Sequence, residues 1–120
     1  MTKKTLVIGA SPNPERYAHK AVLALRSHGH QVTALGLRRG IIGDTPIVTE
    51  RPGDADFDTV TLYVGPQRQP EYYDYVAGLY PRRVIFNPGT ENPPFAQRLQ
   101  QAGISTEEAC TLVLLATQQY

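Results

Sequence analysis

The chain has little of several features that would assign it to a specialised class of protein. One cysteine, Cys110, stands among 120 residues. This excludes a disulfide framework and a zinc site built on cysteines, and it fits a reducing cytoplasm. The two longest apolar runs, residues 6–10 and 112–116, are far too short to span a bilayer, and no targeting segment is recognisable. We therefore expect a cytoplasmic protein with no membrane partner.

The sequence also lacks a net charge that would attract a polyanion. Twelve Lys and Arg residues against eleven Asp and Glu residues give a formal net charge of +1. No long-range field therefore recruits nucleic acid, and any anion must be bound by a local site. Hydrophobic residues make up 41% of the chain and charged residues 19%, which suits one globular domain and leaves no length for a second.

What the sequence does contain is an alternation of short apolar runs and helical patterns. The predicted strands are residues 5–8, 31–35, 59–64, 83–86 and 104–106, and the first four are followed by Gly or Asn. Asn13-Pro14 is typical of a helix start, apolar residues then recur at helical spacing, and Gly29 is a suitable end. Pro70 and Asn92-Pro93 begin two further predicted helices.

Two segments are harder to assign. Residues 37–58 carry several Gly and Pro residues and no helical stripe, so we predict mostly loop with a small extra strand near residues 46–49. Residues 110–116 fit a helix or a strand, and their leucines favour a helix packed on the sheet. The alternation predicts an α/β fold: a three-layer, Rossmann-like, doubly wound parallel sheet with strand order 3-2-1-4-5.

In such a sheet, ligands bind beyond the carboxyl ends of the strands, where the strand order reverses. The loops at that edge are residues 9–13, 37–43, 65–69 and 87–92. Three of these loops lead into predicted helix starts, so unpaired backbone N–H groups and helix dipoles should converge on one region. Such a region suits phosphate groups.

The loop after the first strand and the end of the second strand indicate the kind of nucleotide. Gly9 is followed by Ala10 and Ser11, which keeps only the first glycine of a dinucleotide-binding turn, and an ordinary strand-to-helix turn explains this loop equally well. Arg38 and Arg39 stand where an NAD-binding fold has an acidic residue. Arginines favour a phosphorylated ribose, as in NADP or coenzyme A, although a pair of solvated surface arginines is the alternative.

Taken together, several strings resemble the small, single-domain CoA-binding proteins, which are similar to the nucleotide-binding domain of the succinyl-CoA synthetase alpha subunit. These strings are residues 5–18, 25–32, 42–43, 46–47 and 87–89, together with the turn after the third predicted strand and Cys110. The resemblance runs nearly end to end. It implies one CoA-binding domain over residues 1–120, with a Rossmann-like fold that holds coenzyme A or an acyl-CoA.

The resemblance also implies which residues contact the ligand. The phosphates are expected near Gly9, Ala10, Ser11 and Arg16. Further contacts are expected from Arg39, Gly65, Pro66, Gln67, Asn87, Pro88 and Gly89. The tyrosines at positions 72, 73 and 75 are interpreted as packing and surface residues of one helix, with a ring over adenine left open.

No catalytic group and no metal site are expected. His28 and His30 flank a predicted helix end, which explains them without a metal. Cys110 is interpreted as a small buried side chain, with a mixed disulfide to the CoA thiol as the alternative. The first functional hypothesis is non-catalytic binding of CoA or acyl-CoA, as a sensor or carrier. A small NADP-dependent oxidoreductase and an interaction subunit without a ligand are the alternatives, and a homodimer is left open.

Overall fold

A seven-stranded sheet runs through the middle of the protein, which a computed structural model describes for residues 2–53 and 56–120. The strands are β1 (Thr5–Ala10), β2 (Val32–Gly36), β3 (Gly40–Ile42), β4 (Thr45–Val48), β5 (Thr59–Leu62), β6 (Arg83–Phe86) and β7 (Ser105–Glu108). The helices are α1 (Tyr17–Ser27), a 3-10 helix (Pro66–Tyr72), α2 (Tyr73–Leu79), α3 (Pro93–Gln101) and α4 (Thr111–Ala116).

Both faces of the sheet are covered, as the continuous apolar run of β1 predicts. Leu6 and Ile8 belong to a core cluster that also holds buried residues of α2 and α3. Val7, between them, faces the other side and packs in a second cluster with residues of α1 and with Leu115 of α4. Residues 110–116, predicted as a helix on the sheet, thus supply α4. The three-layer α/β arrangement follows from this alternation.

The predicted strand order 3-2-1-4-5 is wrong. The observed order is β3-β4-β2-β1-β5-β6-β7, and the third predicted strand, β5, pairs with β1 on the side opposite β2. Its expected place beside β2 is taken by β4, which pairs with β2 in parallel. β3 and β4 form an antiparallel hairpin within residues 37–58. The small strand predicted near residues 46–49 corresponds to β4, but its pairing with β2 was not predicted, because the proline and glycine content of this segment favoured mostly loop.

The sheet is parallel apart from the β3–β4 hairpin. Counted along the chain without β3, the parallel strands lie in the order 3-2-1-4-5-6, the doubly wound Rossmann order. The strand order reverses between the adjacent strands β1 and β5. From β1 the chain continues to β2 on one side of this pair, and from β5 it continues to β6 on the other side. Within the described ranges, no helix is long and apolar enough to cross a membrane.

Candidate functional site

A cavity of about 630 Å³ lies where the strand order reverses, at the carboxyl ends of β1, β2 and β5. We call it the first cavity. Its lining residues are Gly9, Ala10, Ser11, Pro12, Glu15, Arg16, Tyr17, Ala18, Gly36, Leu37, Arg38, Tyr63, Val64, Gly65, Arg68 and Tyr72. Its volume falls within the roughly 300–1,000 Å³ that small-molecule sites occupy.

Two glycines let the backbone form the floor of the first cavity. Gly9 has φ +99°, and a Cβ there would lie 2.7 Å from the carbonyl oxygen of Tyr63. A Cβ on Gly36 would lie 2.3 Å from the carbonyl oxygen of Ala10. The ends of β5 and β2 therefore approach β1 more closely than any side chain at these positions would allow.

Local hydrogen bonds hold the loop between β1 and α1. The Nδ1 atom of His19, which is buried, lies 2.9 Å from the carbonyl oxygen of Ser11 and donates to it. The Ser11 hydroxyl accepts the N–H of Asn13, whose side-chain oxygen accepts the N–H of Glu15. Asn13 thus stabilises a turn, and α1 begins only at Tyr17, later than Asn13-Pro14 predicts. The first N–H groups of α1 face the same edge as the first cavity.

Arginines dominate the charge around the first cavity. Arg16, Arg38 and Arg68 line it, against the single carboxylate of Glu15. Arg68 lies 3.6 Å from the carboxylate of Glu71. Among the described residues, no carboxylate lies within ion-pair distance of Arg16 or Arg38. These two guanidinium groups are therefore free to bind an anion such as phosphate.

Two tyrosine rings form part of the wall. Burial raises the pKa of the Tyr63 phenol, and its hydroxyl has no hydrogen-bond partner within the described part of the chain. Burial also raises the pKa of Tyr72, whose side chain is almost fully buried. The Arg51 guanidinium lies 4.6 Å from the centre of the Tyr72 ring and 5.5 Å from that of Tyr75. Both phenols therefore remain neutral well above pH 7.

Arg39 lines a different cavity. This second cavity, of about 430 Å³, is bordered by Thr33, Arg39, Val48, Thr49, Glu50, Arg51 and Pro52. Arg39 and Arg38 are consecutive, and Arg51 stacks on a tyrosine that lines the first cavity, so the two cavities are neighbours.

Of the predicted contacts after β6, Asn87 is enclosed by the protein, whereas Pro88 and Gly89 are exposed. The Asn87 side chain is 1% exposed and donates to the Thr61 hydroxyl at 2.6 Å and the Leu62 carbonyl at 2.8 Å. Its oxygen accepts the N–H of Thr111 at 2.9 Å. Pro88 and Gly89 are exposed and do not line either cavity.

A buried glutamine locks this loop to the one after β5. Gln69, which is completely buried, donates to the carbonyl oxygens of Val64 and Thr90 and accepts from the Asn92 side chain. Gly65 lines the first cavity, whereas Pro66 and Gln67, the next two residues, do not.

Of the eleven residues implied by the resemblance, the structure brings five together around the first cavity: Gly9, Ala10, Ser11, Arg16 and Gly65. The lining also contains arginines and tyrosines that sequence analysis did not select. Arg38 belongs to the arginine pair that the sequence assigned to a phosphorylated ribose. Arg68 belongs to the loop 65–69, which the sequence predicted at this edge of the sheet. For Tyr72, a ring over adenine was left open beside a packing role, whereas Tyr63 carried no signal that separates a cavity wall from a core.

The histidines and the cysteine lie outside the lining of the first cavity. His30 is buried, and its Nδ1 accepts the backbone N–H of Lys3 at 2.9 Å. Cys110 is half-buried, with a free thiol, at the start of α4. Within the described ranges, no group of three or more His, Cys, Asp or Glu residues could hold a metal ion.

The chain belongs to the CoA-binding domain family, whose model matches residues 3–116. This confirms the resemblance found in the sequence. No curated protein matches the chain.

Solved structures share the whole fold. The crystal structure of an uncharacterized protein is 44% identical with a TM-score of 0.97, covering 100% of this chain and 99% of that one. A hypothetical protein from Pyrococcus horikoshii OT3 is 23% identical with a TM-score of 0.85, covering 98% and 83%. A protein from Thermus thermophilus, cell-free ID.343, is 22% identical with a TM-score of 0.81, covering 98% and 91%. The last two similarities concern the fold alone.

Proposed function

We propose that this protein binds coenzyme A or an acyl-CoA in the first cavity, as a non-catalytic sensor or carrier in the cytoplasm. One observation carries the proposal: the Gly9–Ser11 loop, the start of α1 and three arginines meet around a single cavity at the reversal of strand order. Membership of the CoA-binding domain family supports the same ligand.

The pyrophosphate of the ligand is assigned to the loop after β1. The first N–H groups of a helix lack intrahelical partners, and the helix dipole favours negative charge there. Arg16 lies at this end of α1 and lines the cavity without a carboxylate partner among the described residues. Its guanidinium can donate two hydrogen bonds to phosphate oxygens.

The 3′-phosphate of the ribose is assigned to the arginine pair after β2. The sequence favours Arg39 for this contact, whereas Arg38 is the one that shares a cavity with Arg16. Comparing coenzyme A with dephospho-CoA separates the two, because these ligands differ only in that phosphate. Replacing the arginine that contacts the 3′-phosphate with alanine should weaken the binding of coenzyme A about tenfold, or about 1.4 kcal/mol. The binding of dephospho-CoA should weaken much less. Equal losses for both ligands in both variants would contradict the phosphate assignment.

The remaining contacts implied by the resemblance stay proposals of unequal strength. Gly65 borders the first cavity, and Pro66 and Gln67 follow it in the chain. The polar atoms of the Asn87 side chain are already hydrogen-bonded inside the protein, so we expect Asn87, Pro88 and Gly89 to shape the edge rather than to hold the ligand.

A thermal-shift series with coenzyme A, acetyl-CoA, dephospho-CoA, NADP and NAD tests the ligand class. A ligand at one hundred times its dissociation constant should stabilise the protein by about 2.7 kcal/mol. We expect coenzyme A or acetyl-CoA to give the largest shift. A preference for NADP would favour a small oxidoreductase instead, and no shift with any ligand would favour an interaction subunit. Native mass spectrometry of the freshly purified protein would identify a bound acyl chain.

A further inference from the structure

The second cavity has charged groups of its own, which the first cavity does not share. Arg39 and Arg51 line it, against the single carboxylate of Glu50. Among the described residues, neither arginine has a carboxylate within ion-pair distance or donates a side-chain hydrogen bond. Thr33 and Thr49 add two hydroxyl groups to the lining. The second cavity therefore offers hydrogen-bond donors and a net positive charge to an anion.

Two aromatic rings hold the side chain of Arg51 in place. Its guanidinium carbon lies 4.6 Å from the centre of the Tyr72 ring and 5.5 Å from that of Tyr75. The Tyr75 hydroxyl donates to the carbonyl oxygen of Pro52 at 2.6 Å, which ties the chain next to Arg51 to α2. The N–H donors of a guanidinium lie in its plane, so contact with the ring faces does not use them. A donor oriented before the ligand arrives loses less conformational freedom on binding.

The charges and donors of the second cavity fit a phosphate monoester better than a carboxylate. A phosphate monoester carries about −1.5 to −2 charges at pH 7 and has three free oxygens that accept hydrogen bonds. A carboxylate carries one charge and two oxygens, and a single arginine can bind both of them. Because two guanidinium groups line the same cavity, they can divide the three oxygens of a phosphate between them.

The second cavity adjoins the first at two places. Tyr72 lines the first cavity, and its ring supports Arg51 of the second. Arg39 follows Arg38, which lines the first cavity, directly in the chain. A ligand that extends past Tyr72 or past the arginine pair therefore passes from one cavity to the other.

We propose that the second cavity is a binding site for a phosphate monoester, held between the guanidinium groups of Arg39 and Arg51. In the complex with coenzyme A, its occupant is the 3′-phosphate of the ribose, and this identification, unlike the site itself, rests on the proposed function. Arg51 is then a residue that determines specificity, because it distinguishes coenzyme A from dephospho-CoA. Tyr72 and Tyr75 are positioning residues that orient Arg51.

Titration of isotope-labelled protein with inorganic phosphate tests the site without coenzyme A. At an ionic strength kept constant with sodium chloride, we expect the Nε–H signals of Arg39 and Arg51 to shift with one shared dissociation constant. Arg51→Gln should abolish most of the shift of Arg39 and preserve that of Arg16, which lines the first cavity. The matched control is Arg82→Gln, which removes an exposed arginine outside both cavities and should preserve both shifts.

Calorimetric titration with coenzyme A and dephospho-CoA identifies the source of the phosphate. Arg51→Gln should weaken coenzyme A about tenfold and dephospho-CoA less than about twofold. Arg51→Lys keeps the charge but loses the planar donors and the stacking, so it should recover only part of the loss. Glu50→Gln removes a negative charge beside the phosphate and should strengthen coenzyme A about threefold. The unfolding temperature of each variant, measured in parallel, checks that the fold is intact.

The two titrations separate the failure of the site from the failure of the proposed function. Signals of Arg39 and Arg51 that do not move with phosphate, or that move with different dissociation constants, would overturn the site. Shared shifts, combined with an equal loss of both coenzymes in Arg51→Gln, would support the site and assign it to a separate phosphorylated ligand. Shared shifts in a protein that binds neither coenzyme would support the site and contradict the proposed function alone.

Discussion

The loop after β1 and the loop after β6 are made of the same kinds of residues, yet only the first opens on the first cavity. Each contains Asn and Pro and has a glycine of positive φ in it or just before it: Gly9 at φ +99°, the second-last residue of β1, and Gly89 at φ +90°. In the first loop, the turn leads to the start of α1, where Tyr17 and Ala18 line the cavity. In the second, the side chain of Asn87 is used entirely inside the protein.

The difference shows that Asn, Pro and Gly residues predict a turn, but not whether the polar groups of that turn are available to a ligand. Beneath the loop after β6 lie the hydroxyl of Thr61 and the start of α4 at Thr111, which occupy the amide of Asn87. Beneath the loop after β1, the buried His19 donates to the carbonyl oxygen of Ser11, and Gly9 lies against Tyr63. What packs below a loop decides whether its polar groups remain available to a ligand.

The largest effect expected from this comparison is on stability, at Asn87. Asn87→Ala removes three hydrogen bonds and leaves buried polar groups without partners, so it should cost about 3 kcal/mol or more of unfolding free energy. Its matched control in the other loop, Asn13→Ala, removes one exposed hydrogen bond and should cost less than about 1 kcal/mol. Urea denaturation measures both. Similar small losses would mean that the two loops are equally open.

The next largest effect on stability is expected at Gly9 and Gly89. Gly9→Ala combines an unfavourable φ with a contact of 2.7 Å to the Tyr63 carbonyl oxygen and should cost about 3 kcal/mol. Gly89→Ala has the same kind of φ but no heavy atom within 4 Å of the new Cβ, so we expect about 1 kcal/mol. Thermal or urea unfolding of the two variants compares them directly, and an equal cost would show that backbone approach at Gly9 contributes nothing.

Ligand affinity should fall when an arginine beside the first cavity is removed, and not when one at the opposite edge of the sheet is removed. Arg16→Ala should weaken coenzyme A about tenfold, or about 1.4 kcal/mol, because it removes a charged donor to phosphate. Arg82→Ala removes an equal charge from an exposed position next to β6, at the opposite edge, and should change affinity less than twofold. Calorimetric titration at 150 mM salt limits long-range effects. Equal losses in the two variants would indicate a non-specific attraction.

The smallest expected effect is a loss of stability at acidic pH due to His30, a residue outside both loops. Burial, then the charges of His28 and Lys3, lower the pKa of His30 below its usual 6.5. The neutral form is favoured in the folded protein, so its contribution to stability is complete above pH 6.5. It is lost as the pH falls from 6.5 towards the lowered pKa. His30→Gln should flatten this dependence in unfolding measurements between pH 7.5 and 5. An unchanged slope would assign the acid sensitivity to another group.

Much of the fold is predictable because β1, β2, β5 and β6 arise from the mostly apolar and β-branched runs 5–8, 31–35, 59–64 and 83–86. Each of these runs is followed by a glycine or an asparagine. The order of the strands is not predictable, because it depends on a single hairpin whose second strand is Thr45-Pro46-Ile47-Val48. Four residues that include a proline carry a weaker local signal than the turn residues around them. Pairing with β2, a long-range contact, is what makes them a strand.

The candidate site, like the fold, is predictable from the sequence only in part. The loop after β1 is predictable because a glycine at a strand end followed by a helix has few structural solutions. Which of Arg38 and Arg39 lines the first cavity is not predictable, since the two are consecutive in the chain and the structure places them at different cavities. The place of Tyr63 in the cavity wall is not predictable either, because burial in a core and burial against a cavity select the same residue type.

The sequence by itself determined the alternation of strands and helices, the buried central strand, the turn at Gly9 and the family of the chain, because each is written in local residue patterns. Only the tertiary structure decided that β4 lies beside β2, that Asn87 is used internally and that Arg38 shares a cavity with Arg16. These three depend on contacts between residues distant in the chain, and local propensity does not encode which distant groups will meet.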